Sequence, residues 1–275
     1  MTAHMNININ SHKKQRHLKH ALLLYHKMQE GQQSLNRFSI VTLLKACSSL
    51  KDLDLGSKLH GEISKLGLLR KDLYVGNALV DMYAKCNLLG KAKQIFDMLP
   101  ARDVVSWNTL ISGYANYEHE KEALDCFYQM QYANVQPNAI TYTCCLKACG
   151  SVKDISKGRE LHALILRQGL LGKNAIVCNA LIEMYARCGC LEKAREIFNK
   201  FPVQDVFSWN ALISGYLKHN ECEQALECFR KMQMNGDCPD RFTFISILKV
   251  CGALGAIEDG KEVHAEIARK GFLER

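Results

Sequence analysis

The chain is poor in the features that catalysis, membrane insertion and disorder each require. Four prolines in 275 residues and no segment of biased composition exclude long disordered linkers. No apolar run approaches the roughly 18 residues needed to cross a bilayer, so no membrane partner is expected. Thirteen cysteines are present, yet no two lie three residues apart, and the C-x-x-C element of common zinc sites is therefore missing. There is no Gly-rich phosphate loop and no nucleophile elbow. The sequence is accordingly expected to need no cofactor and no metal, and not to be an enzyme.

The charge balance excludes little. A formal net charge of +8 permits approach to a polyanion without requiring it. The first 29 residues lack acidic groups and carry Lys13, Lys14, Arg16 and Lys19, a composition faintly like an organelle leader. Residues 17–36 nevertheless fit the internal pattern described next, so no targeting peptide is expected in this chain.

What the chain does have is repetition at a spacing of 102 residues. V-S-W-N-T-L-I-S-G-Y from Val105 to Tyr114 returns as F-S-W-N-A-L-I-S-G-Y from Phe207 to Tyr216, and L-K-A-C ends at Cys47 and Cys149, with L-K-V-C ending at Cys251. Residues 104–138 and 206–240 agree at 16 of 35 positions, far above chance, so these are true repeats. Such a chain builds a stacked array in which each unit buries its apolar face against its neighbours.

Each block divides into units of 35, 36 and 31 residues. The boundaries fall at 2–36, 37–72, 73–103, 104–138, 139–174, 175–205, 206–240 and 241–275. Trp107, Leu110, Ile111 and Tyr114 recur at i, i+3, i+4 and i+7 on one helical face, and Ala123, Leu124, Phe127 and Met130 form a second. Polar Asn116 to Glu120 reads as the turn between two helices of about 13 residues. Gly113 and Gly215 are poor helix formers, which marks them as close-approach points between packed helices. In the first unit, Asn6 to Asn10 replace the apolar stripe, so that end is expected to be either frayed or truncated.

Seven cysteines occupy repeated slots: Cys47, Cys149 and Cys251; Cys86 and Cys188; Cys126 and Cys228. All lie in helical patterns where Ala or Leu would serve, so small buried hydrophobe is the expected role, in a reducing compartment. His60, His162 and His264 also recur. His-x-Glu at His60 and His264 is superficially like a zinc deaminase signature, but Leu164 replaces the Glu in the middle block and no P-C-x-x-C follows. Packing is the expected role of these histidines.

The motifs S-W-N-A-L-I-S-G-Y, L-K-A-C, G-x-x-L-H and D-M-Y-A-K-C, in register over Lys19 to Arg275, resemble the plant-type pentatricopeptide repeat family, in particular its subclass of alternating P, L and S units. The tetratricopeptide pattern W-x-x-L-G-x-x-Y is not matched. The resemblance implies an all-α, right-handed superhelical solenoid of helix-turn-helix units that binds single-stranded RNA in mitochondria or chloroplasts. In that subclass the repeats mostly specify sites of C-to-U editing, with catalysis by a C-terminal deaminase-like (DYW) domain. This sequence stops at Arg275 without one, so the expectation is either a deaminase or other editing factor acting in trans as partner, or that the sequence is a fragment of a longer chain.

The resemblance also assigns roles. The fifth residue of each first helix and the last residue of the unit together face one base. An Asn amide offers a donor and an acceptor, whereas an Asp carboxylate only accepts and so favours the imino N–H of uracil. Asn77 with Asp103, Asn179 with Asp205, and Asn210 with Asp240 are expected to read U. Asn108 with Asn138 is expected to accept either pyrimidine, and Thr143 with Asn174 to take A. Val41 with Asp72 and Ile245 with Arg275 cannot read a base edge and mark spacer units. Tyr74, Val105, Ile140, Ile176 and Phe207, second in their units, would flank the bases. The alternative reading is a protein-binding scaffold of tetratricopeptide type, against which the recurring Asn/Asp register argues.

Overall fold

The computed structural model describes residues 36–201 and 204–272. Apart from Asn36, the unit assigned to 2–36 lies outside them. The described residues form fifteen helices and no strand.

Unit 37–72 contains α1 (Arg37–Leu50), α2 (Leu53–Lys65) and a single turn, α3 (Leu68–Lys71). Units 73–103 and 104–138 contain α4 (Leu73–Lys85) with α5 (Leu89–Met98), and α6 (Val104–Asn116) with α7 (Glu120–Tyr132). Unit 139–174 holds α8 (Ala139–Val152) and α9 (Ile155–Arg167), and unit 175–205 holds α10 (Ala175–Arg187) and α11 (Leu191–Lys200). Units 206–240 and 241–275 hold α12 (Val206–Lys218) with α13 (Cys222–Met234), and α14 (Arg241–Leu254) with α15 (Ile257–Arg269).

Each first helix starts where it does because the residue before it caps it. Asn36, Asp72, Asp103, Asn138, Asn174, Asp205 and Asp240 have non-helical backbones, and each side chain accepts a hydrogen bond from an N–H of the helix that follows. The turn inside unit 104–138 is tighter than the polar run suggests. Asn116 stays in α6 and the reversal is confined to Tyr117–His119, with Glu118 in the left-handed region at φ 62°. Only one residue there needs a positive φ, and the flanking residues gain helical hydrogen bonds instead.

Two compact units divide at Pro137 and Asn138. In the first, α4 packs between α1 and α6, and α2, α5 and α7 pair with them as hairpin partners. In the second, α8, α10, α12 and α14 pack in succession, each against its own second helix. Trp107 sits edge-on to Phe96 with ring centroids 4.7 Å apart, and Trp209 to Phe198 at 4.5 Å, so the repeated Trp locks a first helix to the second helix of the preceding unit. The two glycines mark close approaches, as expected. A Cβ on Gly215 would stand 2.7 Å from Cβ of Ala186, and one on Gly113 2.9 Å from Cβ of Ala84.

The cysteines are free thiols, and Cys47, Cys126, Cys149 and Cys251 are buried. Burial, assisted by Asp52, pushes the Cys47 thiol up to about 12, so it behaves as an inert hydrophobe. His60 and His162 are packing residues. Nδ1 of each lies 2.9 Å from a tyrosine hydroxyl, that of Tyr83 and Tyr185 respectively, on the first helix of the next unit. His264 is exposed.

Candidate functional site

The first helices expose a stripe that begins with an apolar side chain. Position two of every described unit is an exposed large hydrophobic residue: Phe38, Tyr74, Val105, Ile140, Ile176, Phe207 and Phe242, at 53–79% exposure. Five of these are the residues assigned above as flanking. Phe38 and Phe242 escaped that assignment because their units had been set aside as spacers, although counting two residues into each unit finds them. An apolar side chain kept in water at seven successive units serves no core, so the stripe is available for stacking.

Position five lies one turn further along. Asn77, Asn108 and Asn210 are only 8–9% exposed, so they are not solvated surface amides. Asn179 and Thr143 are half-buried. A buried amide must find partners, and for three of the asparagines the partner is the last residue of the same unit. Nδ2 of Asn179 donates to both carboxylate oxygens of Asp205 at 3.1 Å. Nδ2 of Asn210 donates to Oδ1 of Asp240 at 3.1 Å. The Asn77 amide hydrogen-bonds the Asp103 carboxylate.

The same carboxylates cap the next helix, so they have two functions at once. Oδ1 of Asp240 accepts from the Thr243 backbone N–H at 2.8 Å and from its hydroxyl at 2.9 Å, and with the Asn210 bond this makes three bonds that leave Oδ2 unused. Burial disfavours ionisation of Asp240, but the Thr243 N–H and hydroxyl, the Asn210 amide and the Phe242 N–H outweigh it and hold the carboxyl below its ordinary value. Asp103 shows the same balance, with burial overcome by the Ser106 N–H and hydroxyl, the Asn77 amide and the Val105 N–H. Both are therefore charged, acceptor-only groups at neutral pH.

A hydroxyl at position three is the member of this site that sequence reasoning missed. The Thr243 hydroxyl oxygen also lies 2.7 Å from Oδ1 of Asn210, so its one hydrogen is shared between that amide oxygen and Oδ1 of Asp240 and helps to keep the amide turned with Nδ2 toward Asp240. Ser106 and Ser208 occupy the same slot but bond instead to Asp103 and Asp205, and Oδ1 of Asn77 and of Asn179 stays buried without a hydrogen-bond partner. The available signal was the Ser or Thr three residues after five of the seven capping Asn or Asp residues, all but Asp72 and Asn174, which is the spacing of a reciprocal cap.

The remaining assignments differ in geometry. Asn108 and Asn138 belong to different compact units; Asn138 caps α8 through Oδ1, which takes the Ile140 and Thr141 N–H groups at 3.0 and 3.1 Å. The Thr143 hydroxyl donates to the Ala139 carbonyl at 2.8 Å, and Asn174 caps α10; no hydrogen bond joins these two side chains. Among the described residues no group of three or more His, Cys, Asp or Glu side chains is placed to hold a metal ion, and no helix is long and apolar enough to cross a membrane.

Stacked helix hairpins capped at each unit boundary, with a polar pair and an exposed apolar residue repeated along the first helices, define a helical-repeat protein of pentatricopeptide type. Profiles described as the PPR repeat family and the PPR repeat match residues 102–151 with 204–253, and 77–104 with 176–205, together more than half of the chain. The chain belongs to the PPR repeat family. It is 37% identical over 249 residues to pentatricopeptide repeat-containing protein At3g09040, mitochondrial, of Arabidopsis thaliana, covering 90% of this chain and 24% of that protein. It is also 37% identical over 232 residues to At4g18520, chloroplastic, of the same plant, covering 84% and 37%. The chain thus spans well under half the length of these relatives. In fold it resembles the crystal structure of the pentatricopeptide repeat protein PPR10 in complex with an 18-nt psaJ RNA element, with a TM-score of 0.75 and 16% identity over 91% of this chain and 37% of that one.

Proposed function

We propose that this chain binds single-stranded RNA one base per competent unit, and that it serves organellar RNA processing or the specification of C-to-U editing sites in a mitochondrion or chloroplast, with catalysis supplied elsewhere. The observation that carries the reading is the Asn–Asp contact beside an exposed apolar side chain. An amide nitrogen has two hydrogens. In Asn210 one is held by Asp240, and the second is left for a pyrimidine carbonyl, while the unused Asp240 oxygen accepts the imino N–H that uracil has and cytosine lacks. The contact thus preorganises the pair, and the side chain at position two stacks on the face of the base, contributing about 1–3 kcal/mol per base where it is aromatic.

Thr143 fits a different base. Its only hydroxyl hydrogen is spent on the Ala139 carbonyl, so the oxygen is an acceptor, and a small one, suited to the exocyclic amine of adenine. That PPR10 was crystallised with RNA, and that relatives carry mitochondrial and chloroplastic names, supports the ligand class and the compartments. With units read from N to C along RNA in the 5′ to 3′ direction, the preferred target is pyrimidine, any, U, pyrimidine, A, U, U, any. Fluorescence anisotropy with that octamer, its DNA counterpart and an octamer with the three U positions changed to G tests the proposal. The first should bind most tightly, with an affinity that falls as salt rises, as several phosphates release counterions. Equal binding of all three would overturn it.

A further inference from the structure

Unit 37–72 lacks a polar fifth residue, yet its last residue is not idle. Arg37, the first residue of the unit, places Nε 3.0 Å from Oδ2 of Asp72. Its guanidinium carbon lies 4.5 Å from the centroid of the Tyr74 ring and 6.0 Å from that of Phe38. Oδ1 of Asp72 meanwhile accepts from the Tyr74 and Val75 N–H groups at 2.9 and 3.3 Å, so both oxygens of this carboxylate are engaged. A guanidinium is planar, carries N–H donors in its plane, and stacks on aromatic faces. It therefore meets the two groups, a position-two ring and a terminal carboxylate, that elsewhere in the chain stand ready for a base.

The sequence shows the same association independently. Among the three 36-residue-type units, Arg stands first in 37–72 and 241–275, where the fifth residues are Val41 and Ile245. The third, 139–174, has the polar Thr143 in fifth position and begins with Ala139. Arginine is present where the base edge cannot be read and absent where it can.

The geometry points to Arg37 as an internal occupant of the base slot of its own unit, so that unit 37–72 passes over its nucleotide without stacking it. The inference rests on the RNA-binding proposal above. An incoming base would have to displace a cation–π contact and a charge-assisted hydrogen bond, and Val41 would offer its edge no donor or acceptor in return. The slot is thereby closed by the chain itself, and base reading resumes at Asn77. Without Arg37, Phe38 and Tyr74 would present two open rings to the same nucleotide.

The test uses the full chain and target octamers carrying the fluorescent base 2-aminopurine, whose emission is quenched by stacking, at either the second nucleotide, opposite unit 37–72, or the seventh, opposite unit 206–240, which the exposed rings of Phe207 and Phe242 would flank. Readings at saturating protein remove the effect of the lost charge on affinity, and circular dichroism confirms that Arg37→Ala keeps its helices. The wild type should quench the seventh nucleotide about threefold more than the second, on the scale of aromatic stacking. Arg37→Ala should bring the second nucleotide to the level of the seventh and leave the seventh unchanged. A second nucleotide already quenched in the wild type, or one still bright in Arg37→Ala, would overturn the inference. Failure of the wild type to bind any of these RNAs would instead overturn the RNA-binding proposal beneath it.

Discussion

Nδ2 of Asn179 lies 3.1 Å from each carboxylate oxygen of Asp205, 26 residues further along the chain. Asp205 also caps α12 through the Ser208 N–H at 2.8 Å. One carboxylate therefore ties the first helix of a unit to the start of the next, and any change to it is read in both stability and recognition.

Asp205→Ala should destabilise the chain by about 1–2 kcal/mol, the usual cost of an N-cap, while Asp205→Asn, which keeps an acceptor oxygen for Ser208, should stay within about 0.5 kcal/mol of the wild type. Urea midpoints measure the difference. Equal loss in both variants would mean that the charge, and not the cap, supplies the stability.

The two tryptophans make a second comparison. Nε1 of Trp209 donates to Oδ2 of Asp237 at 2.9 Å, whereas Nε1 of Trp107 is buried with no hydrogen-bond partner and Val135 stands in the slot of Asp237. Val135→Asp should supply the missing acceptor and stabilise the chain by about 1 kcal/mol. Asp237→Val, which orphans a buried donor, should cost about 1–3 kcal/mol. Thermal denaturation of the two variants checks both signs.

The packed histidines, His162 buried and His60 half-buried, set the response to acid. Desolvation, with Lys91 near His60 and Lys193 near His162, lowers both below their ordinary value; Glu196 opposes the shift at His162. The unfolded chain therefore binds more protons than the folded one as pH falls past the ordinary histidine value near 6.5. Stability is full above that pH and is lost progressively below it, until the folded-state values are passed. The melting temperature should drop between pH 7.5 and pH 5, and a His162→Gln variant should show a shallower drop. A flat profile in the wild type would contradict the assignment of neutral, packed histidines.

Much of this was legible in the sequence. The spacing of Trp107, Leu110, Ile111 and Tyr114 gave the helices, and the recurrence of Asn and Asp at fixed offsets picked out the residues of the pair. What the sequence could not show is that Asn179 and Asp205 touch, since that contact depends on how one helix packs against the next. Burial of the asparagines, the third member at Thr243, and the closure of one carboxylate by Arg37 follow from the same packing. Phe38 and Phe242 were overlooked for a different reason: judging their units by Val41 and Ile245 hid the fact that exposure at position two does not depend on what stands at position five.

The most direct test of base reading is Asp240. Asp240→Asn keeps an acceptor oxygen for the Thr243 cap but places an amide where the unused carboxylate oxygen stood, so recognition changes while the fold is retained. Binding curves are to be taken for octamers that differ only at the seventh nucleotide. The wild type should prefer U over C by about 1–2 kcal/mol, the scale of one mismatched base, and the variant should lose that preference and move toward C while every other position is read as before. A wild type indifferent to the seventh base, or a variant weakened equally for all sequences, would contradict modular base reading and favour a protein-binding scaffold.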